Sequence, residues 1–386
     1  MRASLSGAAV TVLFVLLPAA SAGGAMALPV LLSLAGLAAF RPRRAAALAR
    51  PGGAPLLLLL ALAGWAALSG AWSPVEAGEQ ALKLLLLAPL GLAFAAAAAD
   101  GANRELVRAL GVAAFIVLCG LMAIEGLADM PLNRAANPHI DESLEIARNV
   151  NRGAIVLLAL TWGAAGALLT AARPRAGAAL VVVSGLLSLP FGMAAQIAAW
   201  GAGVLVFALS LWRPRACLLT ISAGLAIWLL GAPFLTPLAL ANPALTEALP
   251  YSWAARAGIW NYVCAKILER PWLGHGLDAS RAVNDTIVVQ GVEQRAVQLH
   301  PHSASLQIWF ETGAVGAVIA AAALITGGLW LAKTLAADRP AAAAAAASLA
   351  SLGVIANVGF GIWQEWWIAT MFVAAALVAA LPRRSA

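Results

Sequence analysis

About twelve stretches of roughly 16–29 residues run almost free of charge, and their recurrence constrains this chain more than any other feature. They fall at 5–22, 25–40, 56–72, 81–99, 106–125, 153–172, 176–191, 195–212, 217–236, 304–332, 341–360 and 366–381. A bilayer core takes roughly 20 apolar residues as a helix. Lipid offers the backbone no hydrogen-bond partner, so a spanning segment folds as a helix or as part of a closed barrel. Hydrophobic residues make up 62% of the 386 and charged residues 11%, with a mean hydropathy of +0.89. Soluble domains carry about 25% charge, so a soluble fold is excluded. The sequence predicts an all-α polytopic membrane protein of about 12 transmembrane helices, with a long outer loop before the last three spans. Residues 1–236 read as an N-terminal transmembrane region of about nine helices. Residues 237–303 form the outer loop, which holds an amphipathic helix, and 304–386 the C-terminal transmembrane helices.

Arg2, the run Val10–Leu17 and the triplet Ala20-Ser21-Ala22 imitate a secretory signal peptide. We read the segment as a first transmembrane helix instead. The Ala-rich stretches 93–99 and 341–347 fit helices within spans better than disorder. Cys119 and Cys217 fall in apolar runs and Cys264 stands alone in the polar loop, so neither a disulfide framework nor a zinc spacing follows.

Charge sets the orientation. Of 24 Lys and Arg and 17 Asp and Glu, one set of alternate connections collects 15 basic and three acidic residues. Its clusters are Arg41/Arg43/Arg44/Arg50, Arg104/Arg108, Arg173/Arg175, Arg213/Arg215, Lys333/Arg339 and Arg383/Arg384. The other set holds the remaining nine basic and 14 acidic residues. The positive-inside rule then places both termini and these clusters in the cytoplasm. The formal charge of +7 reports cytoplasmic loops, not a nucleic-acid surface, because few aromatics interleave with the basic residues.

Two long connections fall outside, at about 126–152 and 237–303. In the second, Ser252 is placed to cap a helix that ends near Arg270 before Pro271. Trp253, Trp260, Val263 and Ile267 lie on one face of it, and Arg256 points the same way. Such an arginine needs either an anion to meet it or a lipid headgroup to reach. PWLGHG at 271–276 is a turn. Residues 277–300 show no clear period. His302 then precedes the run Ala304–Ala332, about 44 Å as one helix. That exceeds a hydrocarbon core of about 30 Å, so its first turns, with His302 and Gln307, are expected to project into the outer interface. Helical phase puts His302 and Trp309 on one face and Glu311 on the other.

All four histidines (His139, His275, His300 and His302) lie on the outer side, without HxxxH or HExxH spacing, so no metal is expected. An arginine near a histidine at headgroup level suits a diphosphate-linked sugar. The guanidinium fork binds phosphate oxygens and keeps its charge, and a histidine can take a proton from an attacking hydroxyl.

The segment HPHSASLQIWFETGAVG resembles the signature of the O-antigen ligase / O-antigen polymerase superfamily. In that signature a histidine is followed by a small polar residue, nine residues and a Gly-x-x-Gly ending: here His302-Ser303, Ala304–Thr312 and Gly313-Ala314-Val315-Gly316. Arg256 to Gly276, with ERPWLGHG, and WAALSGAWSP at 65–74 also look like this family. The resemblance implies a metal-independent glycosyltransferase-type enzyme of the bacterial inner membrane, without cofactor. Its donor would be an undecaprenyl-diphosphate-linked glycan and its acceptor lipid A-core or another glycan. His302 would be the essential histidine and Arg256 the loop arginine that contacts diphosphate. The chain departs at Ala314, where ligases usually carry Thr or Val, and at Ser303, often Asn in relatives. Where the family tends to carry a second arginine, MAAQIAAWGAG at 193–203 offers only Gln196. Arg152, in NVNRGA, is the alternative second cation, and His300 and Gln307 complete the expected binding set. A surface-polysaccharide polymerase, a protein O-oligosaccharyltransferase and a transporter of lipid-linked glycan compete with the ligase reading. Spans nearly free of charge argue against transport.

Overall fold

A computed structural model describes residues 5–41, 53–140 and 142–382. Arg2, Arg43, Arg44, Arg50, Arg383 and Arg384, used above for orientation, lie outside them. Each of the twelve apolar runs holds a helix: α1 (Leu5–Ala22), α2 (Leu28–Ala39), α3 (Ala54–Ser69), α4 (Gly78–Ala98), α5 (Arg104–Leu127), then, after the short α6 (Pro131–Ala136), α7 (Ser143–Thr170), α8 (Pro174–Leu186), α9 (Ala194–Trp212) and α10 (Pro214–Ala239). After the connection at 240–303 come α13 (Ala304–Leu335), α14 (Arg339–Val358) and α15 (Glu365–Ala379). Among the described residues nine helices are long and apolar enough to cross a membrane, counting α3 with the 3-10 turn Gly70–Trp72 that follows it. Three others, α2, α8 and α15, are shorter. The fold is all-α and polytopic.

The same dipeptide that marks charge also starts helices. Arg173-Pro174, Arg213-Pro214 and Arg339-Pro340 each put proline in a first turn, where its fixed φ suits a helix and its missing N–H costs nothing. These ends gather on one side. The Arg104 guanidinium donates to the Pro382 carbonyl at 3.0 Å, and Gly166, near the end of α7, lies against Ala344, Leu381 and the Pro340 carbonyl.

At the centre stands α7, whose residues from Gly153 to Ala167 are all buried. Small residues let its neighbours close on it. Gly203 of α9 meets the Trp162 ring so closely that a Cβ there would overlap it. Ala341–Ala347 of α14 are buried as well, so the alanine run is packed helix. Further, α7 begins ten residues before the expected start at 153. Ile146 and Val150, one turn apart, are buried and carry the helix back through a stretch whose charges had suggested a loop.

The connection at 240–303 contains the short α11 (Pro243–Glu247), α12 (Tyr251–Glu269), a 3-10 turn at Ala279–Ala282 and an antiparallel hairpin, β1 (Thr286–Val289) with β2 (Val292–Arg295). The structure departs from expectation at two points in it. Ser252 is not the cap: Pro250 precedes the helix, and the Ser252 carbonyl instead accepts from Arg256. The stretch 277–300 is not without order. Gln290 and Gly291 both take positive φ, 49° and 81°, the conformation of a two-residue type I′ hairpin turn.

Candidate functional site

The three stretches that carry the family resemblance, 65–74, 256–276 and 302–316, meet at a break in α13. Gly313 sits at φ 65° and ψ −168°, inside what would otherwise be one continuous helix. Only glycine adopts this region readily. The expected unbroken rod is therefore two pieces. Backbone groups released by the break are taken by the PWLGHG turn. His275 and Gly276 donate to the Phe310 and Glu311 carbonyls at 2.8 and 2.9 Å, and Ala314 donates to the Pro271 carbonyl at 2.8 Å. The Thr312 carbonyl accepts from the Trp65 indole at 2.9 Å, and Ser73 Oγ donates to the Leu277 carbonyl at 2.6 Å. A side chain at Gly274 or Gly276 would strike the backbone of Glu311 or Ser73. The glycines of this turn are there for backbone-to-backbone contact.

His302 lies just before the helix, not in its first turn. Its φ is +56°, and Ser303 caps the helix by accepting from the Leu306 N–H. The expected face shared with Trp309 fails for that reason. Trp309 turns to α10, where its indole donates to the Leu229 carbonyl. His302 instead faces the connection between α14 and α15, with Nδ1 2.6 Å from the Gly359 carbonyl oxygen. A carbonyl only accepts, so Nδ1 carries the hydrogen and neutral His302 keeps its lone pair on Nε2. No hydrogen bond occupies Nε2 among the described residues. Burial pulls the His302 proton affinity down, the Gly359 bond opposes this, and the nearby Arg256 charge adds to the lowering. His302 is therefore neutral at pH 7, with a free acceptor nitrogen.

His300 packs edge-on against His302, ring centres 4.4 Å apart, and its Nδ1 accepts from the His302 backbone N–H. Burial, then the charges of His302, Arg281 and Arg256, lower its pKa to about 3. His300 thus supports the His302 backbone as a neutral group. Trp260 of α12 donates to the Pro301 carbonyl at 2.8 Å, tying α12 to the same segment.

Arg256 is half-buried on α12, 5.2 Å over the Trp253 ring, with one bond to the Ser252 carbonyl and its Nε buried without a partner. Burial lowers its pKa; a guanidinium stays charged regardless. Arg152 approaches from the other side. It bonds Asn149 Oδ1 at 3.1 Å and stands 6.0 Å over the Trp366 ring. Trp366 packs on Phe360, next to Gly359. The α14–α15 connection thus lies between His302 and Arg152.

The other expected residues are turned inward. Gln196 is buried, its amide donating to the Ala154 carbonyl and to Ser188 Oγ, so it joins α9 to α7. Gln307 does not project into the interface: it is 3% exposed, donates to Glu311 and accepts from the Ile362 N–H. His139 is exposed, and His275 stacks on Phe310 while Nε2 donates to the Lys266 carbonyl. Glu311 is the residue the sequence reading missed. Helical phase put it opposite His302, yet it is fully buried among donors. The overlooked signal was a carboxylate at i+4 from Gln307, deep in an apolar run where only a set of donors makes it affordable.

Residues 178–321 match the profile of the family described as O-Antigen ligase. Curated relatives agree. A protein named "Putative polysaccharide ligase" from Rickettsia conorii is 28% identical over 230 residues, covering 57% of this chain and 55% of that protein. One of the same name from Rickettsia felis is 26% identical over 229 residues with the same coverage. Another from Rickettsia typhi is 31% identical over 121 residues, 30% of this chain and 29% of that protein. At its longest the similarity spans about half the length of these relatives. No solved structure gives a significant match. The matched stretch carries Arg256, His302 and the Gly313 break; over it this multi-pass membrane protein is similar to the O-antigen ligase family.

Proposed function

We propose that this protein transfers a glycan from an undecaprenyl-diphosphate carrier to an acceptor hydroxyl at the periplasmic face of the bacterial inner membrane. Both termini are cytoplasmic in this reading, and 237–303 is the periplasmic loop between the two transmembrane regions. The observation that carries it is the neutral His302, with its tautomer fixed by Gly359 and Nε2 unoccupied, in the field of a half-buried arginine that has no carboxylate partner. Nε2 takes the proton of the acceptor hydroxyl. The oxygen bonds the anomeric carbon, and the bond from that carbon to the diphosphate oxygen breaks. The charge left on the diphosphate is met by Arg256, with Arg152 as second cation. Gln196, Gln307 and His300 act from behind the site, by packing and support.

Purified protein given a labelled lipid-linked donor and a lipid A-core acceptor tests this. Wild type is expected to release undecaprenyl diphosphate and label the acceptor. His302→Ala should lose about 100-fold or more, in the range of general-base deletions. Arg256→Ala should lose a similar factor, as for removal of a charge-stabilising donor. Wild-type rates in either folded variant remove that residue from the mechanism. Label moving only onto a second lipid-linked glycan replaces the ligase by a polymerase.

A further inference from the structure

We propose that Glu311, acting with Gln307 and Ser305, is a positioning residue that holds the Gly359 carbonyl in place and so sets the tautomer of His302. This rests on the reading of His302 as the proton acceptor. The first turns of α13 reach the α14–α15 connection at several points in a row. His302 Nδ1 donates to the Gly359 carbonyl at 2.6 Å. Ser305 Oγ donates to Asn357 Oδ1 at 2.6 Å. Gln307 Oε1 accepts from the Ile362 N–H at 2.9 Å. Glu311 Oε2 accepts from the Trp363 indole at 2.8 Å. Gly359 is thereby pinned from both sides: Asn357 precedes it, and Ile362 and Trp363 follow.

Glu311 is the root of this ladder. Its Oε1 accepts from Ser280 Oγ at 2.5 Å and from Gln307 Nε2 at 3.0 Å, and its Oε2 also accepts from the Asp278 N–H at 2.8 Å. All four partners donate, and a carboxylate is the one side chain that accepts at both oxygens. By holding Gln307 Nε2, Glu311 fixes the amide so that Oε1 faces Ile362. By holding Asp278 and Ser280, it seats the turn that carries Arg281, whose charge acts on His300. The connection has a second set of ties on its far side, where Gln80 donates to the Trp363 carbonyl and Lys83 pairs with Glu365. Loss of Glu311 should therefore loosen the turn without releasing it.

Glu311→Gln keeps the shape but presents an N–H₂ to two of the four donors. The chain has four histidines, so ¹⁵N-histidine NMR of the detergent-solubilised protein, with the His302 signals identified by their loss in His302→Gln, reports the tautomer without any assay of transfer. Wild type is expected to show His302 in the single Nδ1–H form. Glu311→Gln should show both tautomers, together with a fall in kcat of about tenfold and little change in donor KM. Thr312→Val, on the same helix and equally buried, should keep the single tautomer. A single Nδ1–H tautomer in Glu311→Gln overturns the relay, whatever the rate. Mixed tautomers with unchanged turnover uphold the relay and instead overturn the catalytic reading of His302. If Glu311→Gln does not fold, Gln307→Leu carries the same test, with the same two outcomes.

Discussion

Replacing Gly313 by alanine tests whether the break in α13 assembles the site. At φ 65° and ψ −168° a residue with a side chain is strained by about 1–3 kcal/mol. A Cβ at this position would lie 2.3 Å from the Trp272 carbonyl oxygen and 2.6 Å from the Gly274 nitrogen. Both are backbone atoms, so no side chain can swing aside. The turn at 271–276 must separate from α13, which strains or breaks the bonds from His275, Gly276 and Ala314. Losing two of these adds about 2 kcal/mol. The sum, about 3–5 kcal/mol, lowers the thermal midpoint of the solubilised protein by roughly 4–6 °C, using about 2.1 cal/mol/K of unfolding entropy per residue. Gly327 of the same helix is the control. A Cβ there meets only Pro55, at 3.8 Å, and Gly→Ala within a helix is neutral or stabilising by up to about 1 kcal/mol. Transfer activity should fall in Gly313→Ala and hold in Gly327→Ala. A Gly313→Ala protein melting within about 1 °C of wild type, with wild-type transfer, refutes the claim that the break is enforced by backbone contact.

Stability should depend on acid through His300. Its folded pKa is lowered to about 3, below the usual value of about 6.5, so between these values the unfolded chain binds more protons and stability falls as pH drops. His300→Phe should flatten denaturation midpoints measured between pH 6.5 and 4; an unchanged slope assigns the dependence elsewhere. Arg256→Lys retains charge but loses the planar fork over Trp253, and transfer should drop about tenfold or more with folding intact; full activity would show that any cation serves. Burial pushes the Cys264 thiol up to about 12. In a Cys119→Ser/Cys217→Ser background it should resist maleimide at pH 7 until the protein is denatured, and rapid labelling of the native form would contradict the packing of α12.

The spans were legible because lipid imposes a simple rule on composition, and Arg-Pro pairs mark both charge and helix start. Arg256 was legible too: 253, 256 and 260 fall on one face at helical spacing, and Arg256 does stand over Trp253 while Trp260 donates to the Pro301 carbonyl. Hydropathy could not reveal the Gly313 break, because glycine in an apolar run reads as helix until its partner is known. That partner, the PWLGHG backbone, lies about forty residues upstream in sequence. The hairpin was missed although part of its signal was present, the β-branched run Thr286–Val289 leading into Gln290-Gly291. Glu311 was misplaced by treating 302–312 as one helical phase. His302 stands outside the helix, so its angle relative to Glu311 carried no information.

Arg152 and Arg256 differ from the other cations of residues 126–303 in how each charge is compensated. Arg134 pairs with Asp129, Lys266 with Glu269 and Arg281 with Asp278, while Arg295 donates to the Val283 carbonyl and Asn284. Arg148 and Arg270 are exposed, where water suffices. Arg152 and Arg256 are half-buried, and neither has a carboxylate within salt-bridge distance among the described residues. A desolvated cation without an anion is costly, and stacking on Trp366 or Trp253 offsets only about 0.5–2 kcal/mol of it. Evolutionary substitution by a neutral residue would relieve that cost unless an anion arrives. In the proposed reaction the diphosphate of the carrier would supply that anion. The stability of the protein should then rise on adding undecaprenyl diphosphate, less so in Arg256→Ala, and equal stabilisation of both proteins would mean that this arginine does not meet the carrier.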